Sequence, residues 1–255
     1  MPSPSAFLAL FLAAAPAPAP VDFEKCTTPR LPEPDSVQTV QLVRRDREHR
    51  DTYTSANLYG QRNAQGELRL LVRLTRPEEM RGTFLSISER GENVEIYFGS
   101  PELGGPKRIS GAEALGQLFN SDFTVEDFAN LQGFAKPKSK TRLKDGELNG
   151  RKVYVVELRP AGESSAYEKI VASFDQEKCV PLRSEMYERG GRLRKLQTIA
   201  PDAVIYSSLA GAWLPQRVTI EDRRDGTSTW LDVISADFEV PVSYTVFGRA
   251  SGNAD

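Results

Sequence analysis

"LRLLVRLT", residues 68–75, sets Leu68, Leu70, Val72 and Leu74 on one side of an extended chain and Arg69, Arg73 and Thr75 on the other. Alternation with period two marks a strand that has one buried and one wetted face. The same rhythm begins near Val37 and returns in "NVEIYFGS" (93–100), "KVYVVELRP" (152–160), "YEKIVASFD" (167–175) and "PLRSEMYE" (181–188). It continues through "RLRKLQTI" (192–199), "LPQRVTIED" (214–222) and "TSTWLDVISADFEV" (227–240). The breaks "NAQGE" (63–67), "ERGEN" (89–93), "ERGGR" (188–192) and "RRDGT" (223–227) each supply a glycine suited to a hairpin turn. About ten strands with few long crossovers predict an antiparallel meander.

Helical signal is confined to the middle of the chain. "SGAEALGQLF" (110–119) offers Ser110 as N-cap, Glu113 three residues on, and Leu115, Leu118 and Phe119 as an apolar stripe. "TVEDFANLQG" (124–133) offers Thr124 as cap, Asp127 at the third helical position and Gly133 as terminator. Asp122, Glu126 and Asp127 then stand at a helix start, where acids are favourable, and are expected to face water. Two short helices cannot cover the apolar face of so large a sheet. The sheet must curl on itself, which predicts a mainly β fold: an incompletely closed antiparallel β-barrel with a short helical lid and an apolar cavity between them.

Composition narrows the function. Of 255 residues, 33 are Lys or Arg and 35 Asp or Glu, giving a net charge of -2, which removes the broad electrostatic case for nucleic acid. Residues 1–20 carry the apolar run Phe7–Ala15 followed by "PAPAP". That run suits a secretory signal peptide and is too short to span a bilayer; an uncleaved Ala/Pro-rich leader is the alternative. Residues 21–36, with Pro29, Pro32 and Pro34, read as an extended arm, and residues 37–250 as one domain. The two cysteines, Cys26 and Cys179, either pair in an oxidising compartment or remain thiols.

Catalytic signatures are lacking. The single histidine, His49, lies among charged residues in "RRDREHRDTYT" and reads as an exposed strand position. Asp122/Glu126/Asp127 and Glu221/Asp222/Asp225 lack calcium-loop spacing, and "SPELGGPKR" (100–108) lacks a phosphate-loop context. No metal or cofactor is implied, and "AKPKSKTRLKDG" (135–146) reads as a surface loop leading into a hairpin.

The order of motifs carries more. "IYFGSPELGGPKRISG" (96–111) leads to "LFNSDFTVEDF" (118–128), then to "DGELNGRKVYVVELRP" (145–160) and "VPLRSEMYERGGRLRKL" (180–196), and finally to "GAWLPQRVTIEDRRDGTSTWLDV" (211–233). The series resembles the outer-membrane lipoprotein-sorting protein family, relatives of the LolA/LolB-like periplasmic lipoprotein carriers, over roughly residues 84–247. "SDFTVEDF" and "PLRSEMYERGGRLRKL" are its most specific parts. The resemblance implies a periplasmic, non-enzymatic monomer that carries lipid or lipoprotein acyl chains between sheet and lid. It also implies an inner-membrane exporter of the RND type as partner. Family members usually begin with a helix, which "CTTPRLPEP" (26–34) is not expected to supply.

On that reading the cavity lining comprises Leu70, Val72, Ile96 and Phe98 from strands and Leu115, Leu118, Phe119, Phe123 and Phe128 from the lid. Arg183 and Glu185 share one strand face opposite Leu182 and Met186; pointing inward they would be a polar anchor for a headgroup, and pointing outward an ordinary surface pair. The rival role is an accessory subunit of an envelope complex, with the barrel filled by its own side chains.

Overall fold

A computed structural model describes residues 20–28, 35–62, 65–91, 93–134, 136–161, 165–238, 240–243 and 245–248. The leader read at residues 1–20 lies outside them except for Pro20. The alternating segments form β1 (Ser36–Arg45), β2 (Asp51–Arg62), β3 (Leu68–Arg76), β4 (Phe84–Arg90), β5 (Asn93–Gly99) and β6 (Lys107–Arg108). After the lid come β7 (Pro137–Arg142), β8 (Gly146–Leu148), β9 (Arg151–Pro160), β10 (Lys169–Asp175), β11 (Pro181–Tyr187) and β12 (Leu193–Thr198). The last four are β13 (Val204–Ser207), β14 (Ala212–Pro215), β15 (Arg217–Asp222) and β16 (Thr227–Asp237).

Fourteen strands join one antiparallel sheet in the order β6-β5-β4-β3-β2-β1-β16-β15-β12-β11-β10-β9-β7, with β8 on β9, while β13 and β14 pair apart from it. The four glycine-bearing breaks become the hairpin turns β2–β3, β4–β5, β11–β12 and β15–β16. The long pairing of β1 with β16 joins the two halves of the sheet. Its edges, β6 and β7, do not pair with each other, so the expected incompletely closed barrel is what forms. Register shifts at Thr39/Val40, Ser55/Ala56, Ser173/Phe174 and Met186/Tyr187 sharpen the local twist that bends so wide a sheet.

The concave face is the apolar one. Leu70 on β3, Leu85 and Ile87 on β4 and Ile220 on β15 are fully buried there. The convex face is more polar, with Val43 and Leu196 buried on it and a covered patch where Val242 and Phe247, the latter in helix α3 (Thr245–Gly248), pack on Leu71 beside Val37, Tyr59 and Phe84. That contact explains why "LRLLVRLT" contains an apolar residue on its wet side.

Four sequence expectations need correction. The arm is not wholly extended: Phe23–Cys26 form a helical turn, which we call α1, capped by the Asp22 side chain accepting from the backbone N–H groups of Glu24 and Lys25. Residues 110–119 do not form a helix with an apolar stripe. A 3-10 turn spans Gly111–Leu115 without a side-chain cap, and the chain then reverses at Phe119 and Asn120, both with φ 53. Residues 137–142 are an edge strand, β7, rather than a loop, and its Lys and Arg side chains suit an unpaired edge. His49 is exposed as expected but sits in the β1–β2 turn with φ 62, a conformation histidine tolerates better than branched residues do.

Helix α2 (Val125–Leu131) does follow the sequence reading. Thr124 accepts from the backbone N–H of Asp127, and Asp127 accepts from that of Thr124, a complete capping box. At the other end of the chain, Cys26 and Cys179 are joined in a disulfide that holds α1 against β9 and β10, where Phe23 meets Tyr154 edge-on at 5.4 Å. Closing a loop of 153 residues removes about 5 kcal/mol of unfolded-chain entropy on the loop-closure argument.

Candidate functional site

Asp122 and Asp127 do not face water, contrary to expectation. Asp127 is 0% exposed and Asp122 1%. Asp122 accepts from the hydroxyls of Thr227 at 2.5 Å and Thr229 at 2.7 Å, with the Arg44 guanidinium 3.5 Å away. Asp127 accepts from the Lys195 ammonium at 2.6 Å and the Tyr167 hydroxyl at 2.5 Å. The same ammonium donates to the Asp122 carbonyl at 2.7 Å. Lys195 stands on β12 on the concave face, in register with Met186 and Asp222. A charge buried this deeply is tolerated only when it is both paired and hydrogen-bonded, and these are. Burial, reinforced by the neighbouring Asp127 carboxylate, pushes the Tyr167 hydroxyl well above its ordinary pKa.

The cluster pins the start of α2 to the sheet. Glu126, half-buried, fastens the same helix to the segment before β10 by accepting from the Ser165 hydroxyl and, at 3.0 Å, from the backbone N–H of Ala166. Desolvation raises the Glu126 carboxyl above its ordinary value, although both of those bonds oppose the shift. Sequence reasoning missed Lys195, Tyr167, Thr227 and Thr229. A signal existed: once Ile199 is placed inward, period two forces Gln197 and Lys195 inward as well.

Beyond this pinned end the concave face opens into a cavity of about 1120 Å³. Its floor is the sheet, with Met186, Ile199, Val218 and Leu231 among the side chains reached. Ala129 to Phe134 of α2 and its exit form one wall, and the β13–β14 hairpin another. The disulfide-held segment contributes Thr27, Thr28 and Cys179. Ile205, Tyr206 and Leu209 of the hairpin, and Ile234 of β16, are exposed large apolar residues that also border the cavity. Trp213 backs the hairpin, with the Tyr206 ring at 5.4 Å and the Lys178 ammonium 4.7 Å from its centroid.

Of the nine residues expected to line the cavity, Ile96 and Leu115 do. Leu70, Val72, Phe98 and Leu118 lie instead in the packed core, as do Phe119, Phe123 and Phe128. These seven join the one apolar cluster that packs the lid segment against the sheet. Phe98 and Phe119 show it, their rings packing at 6.4 Å. Arg183 and Glu185 form a 2.6 Å ion pair on the convex side, opposite the buried Leu182, Ser184 and Met186. They are the surface pair of the two alternatives, and the polar-anchor reading is withdrawn. Among the described residues no group of three or more His, Cys, Asp or Glu side chains is placed to hold a metal ion. No helix among them is long and apolar enough to cross a membrane.

A protein-family model, described only as "Uncharacterized protein", matches residues 66–251. The chain belongs to that family. No curated protein matches the sequence. Solved structures match the fold over most of the chain. An outer membrane lipoprotein-sorting protein domain, so assigned, from Vibrio parahaemolyticus is 24% identical, with 84% of this chain and 89% of that one covered and a TM-score of 0.74. A DUF1329 family protein from Desulfovibrio piger is 20% identical over 88% and 92% of the two chains, with a TM-score of 0.76. A LolA superfamily protein from Nitrosomonas europaea is 22% identical over 88% and 94%, with a TM-score of 0.65. The chain therefore has the LolA-superfamily fold that the order of its motifs suggested.

Proposed function

We propose that this protein is an exported, non-enzymatic carrier that holds acyl chains of a lipid or lipoprotein between its sheet and its lid. The observation that carries the reading is the cavity: about 1120 Å³, walled mainly by aliphatic side chains and rimmed by exposed apolar residues. Its volume lies above the roughly 300–1,000 Å³ typical of small-molecule sites. Burying about a dozen methylenes at about 0.8 kcal/mol each supplies on the order of 10 kcal/mol, enough to offset the cost of association. The rival filled barrel would leave no such space. The Cys26–Cys179 bond fits the oxidising bacterial periplasm, and the printed names of the structural neighbours fit lipoprotein sorting. The carrier unit is residues 37–250, acting as a monomer, and an inner-membrane RND-type exporter is the partner that would exchange cargo with it.

The test is native mass spectrometry and lipid extraction on protein purified from its own cell envelope, together with uptake of a fluorescent fatty acid. A bound acyl species, and uptake weakened at least tenfold by Ala129→Trp in a protein that keeps its unfolding midpoint, support the carrier. Protein that is empty and takes up no probe moves the role to an accessory subunit.

A further inference from the structure

The cavity floor is not uniformly apolar. Ser184 on β11 and Gln197 on β12 are direct cross-strand partners, so their side chains lie next to each other on the concave face. Ser184 is 6% exposed and Gln197 3%, and both line the cavity. Neither side chain hydrogen-bonds to another described residue. Asn130 on α2 also lines the cavity, and its amide nitrogen is buried with no hydrogen-bond partner.

The Ser184 and Gln197 polar atoms open onto the cavity rather than being sealed, so an occupant that displaces water from them must match them or lose about 1–3 kcal/mol for each. The register shows what surrounds this pair. On one side runs the apolar row Leu182, Ile199, Val218 and Leu231; on the other stands Lys195, whose ammonium is already committed to Asp127 and to the Asp122 carbonyl. Among the described residues lining the cavity the charged ones are Glu126, Lys136 and Lys140, each with a partner of its own, and the pair's own members are neutral. A carboxylate or phosphate would be stranded there, whereas a carbonyl oxygen could accept from the Gln197 amide and the Ser184 hydroxyl.

We infer that Gln197 and Ser184 form a hydrogen-bonding subsite for the neutral ester or amide carbonyl that links an acyl chain to its carrier molecule. The inference rests on the acyl-carrier reading and narrows it: the cargo is an acylated molecule with its linkage intact, rather than a free fatty acid or a plain hydrocarbon. The carbonyl settles over the polar pair and the chain runs along the Ile199–Val218 row.

Displacement of a fluorescent acylglycerol ester by three competitors of equal chain length tests it: a monoacylglycerol ester, the matching alkylglycerol ether without the carbonyl, and an acyl ethanolamide. Wild-type protein is expected to favour the ester over the ether by about tenfold, the worth of one net hydrogen bond. The amide arm shows which linkage is preferred. Gln197→Leu should bring ester and ether within about twofold while leaving the ether unchanged, and Ser184→Ala should do part of the same. Circular dichroism and urea midpoints confirm folding, and Ser184→Ala, the gentler change, serves if Gln197→Leu unfolds. Equal displacement by ester and ether in wild type, or a preference that survives in both variants, overturns the subsite and leaves the carrier standing. No displacement by any competitor, with no probe bound, removes both.

Discussion

Lys195→Met is the change that best tests how the lid is held. It deletes the 2.6 Å bond to Asp127 and the 2.7 Å bond to the Asp122 carbonyl, while methionine keeps most of the buried volume. Asp127 would remain fully buried with the Tyr167 hydroxyl and the Thr124 N–H as its donors and no cation. Removing one partner of a buried pair costs about 3–5 kcal/mol, chiefly because the other charge is left uncompensated. In urea that should lower the midpoint by more than about 1 M at unchanged slope. The control is Lys195→Met with Asp127→Asn, which discharges the orphan and keeps a carbonyl for the capping box. It should recover about 2 kcal/mol, a coupling within the range expected for residues in direct contact. A single variant that loses less than about 1 kcal/mol, or a double variant no more stable than the single, would refute the claim that this ion pair pins the helix.

Other perturbations follow from the same structure. Reducing the Cys26–Cys179 bond, or Cys179→Ser, should cost up to about 5 kcal/mol and expose residues 21–28 to proteolysis, as read by calorimetry and limited digestion. Tyr167 is protonated in the folded protein well above its ordinary value, so the unfolded state releases that proton first as pH rises past about 10. Stability should therefore fall by about 1.4 kcal/mol per pH unit from there, a slope that Tyr167→Phe removes in alkaline urea titrations. Glu126 is raised too, so its contribution is full below about pH 4.5 and lost as pH rises through its folded value; the stability difference between wild type and Glu126→Gln should change across that window and flatten above it. A Cβ at Gly99 would lie 2.3 Å from the Phe84 ring, so Gly99→Ala should cost about 1–3 kcal/mol and Phe84→Leu should relieve part of it, as read by thermal midpoints.

How much of this the sequence disclosed depends on the kind of interaction. Period two and glycine turns are local, so the strands of "LRLLVRLT" and "PLRSEMYE" and the hairpin at "ERGGR" were legible directly. The capping box of α2 was legible because all its parts lie within four residues. The environment of Asp122 and Asp127 was not, because their partners Lys195, Thr227 and Thr229 stand 68 to 107 positions away in the chain. A helix-start acid looks alike in sequence whether it meets water or a buried lysine. The cavity lining failed in the same way: apolar residues on an inward face are common to packed core and cavity wall, and the β13–β14 hairpin that distinguishes them carries no long alternation.

One row of the sheet separates the two tasks of the fold. Lys195 and Gln197 are neighbours on the same face of β12, two residues apart. Lys195 faces the start of α2 and donates to Asp127 and to the Asp122 carbonyl just before it, whereas Gln197 faces the cavity and bonds to nothing in the described chain. The helix is thus fastened at its first turn, and its later residues, Ala129 to Phe134, wall the cavity. On the proposed carrier reading, such an arrangement would let the wall adapt to cargo without surrendering the contacts that hold the lid, since motion about a pinned end breaks no buried charge pair. Were the ion pair at the other end of α2, any widening of the cavity would strand a charge. Placing the committed charges at the closed end and the uncommitted neutral groups beside the space is what allows one short helix to serve as both lid and wall.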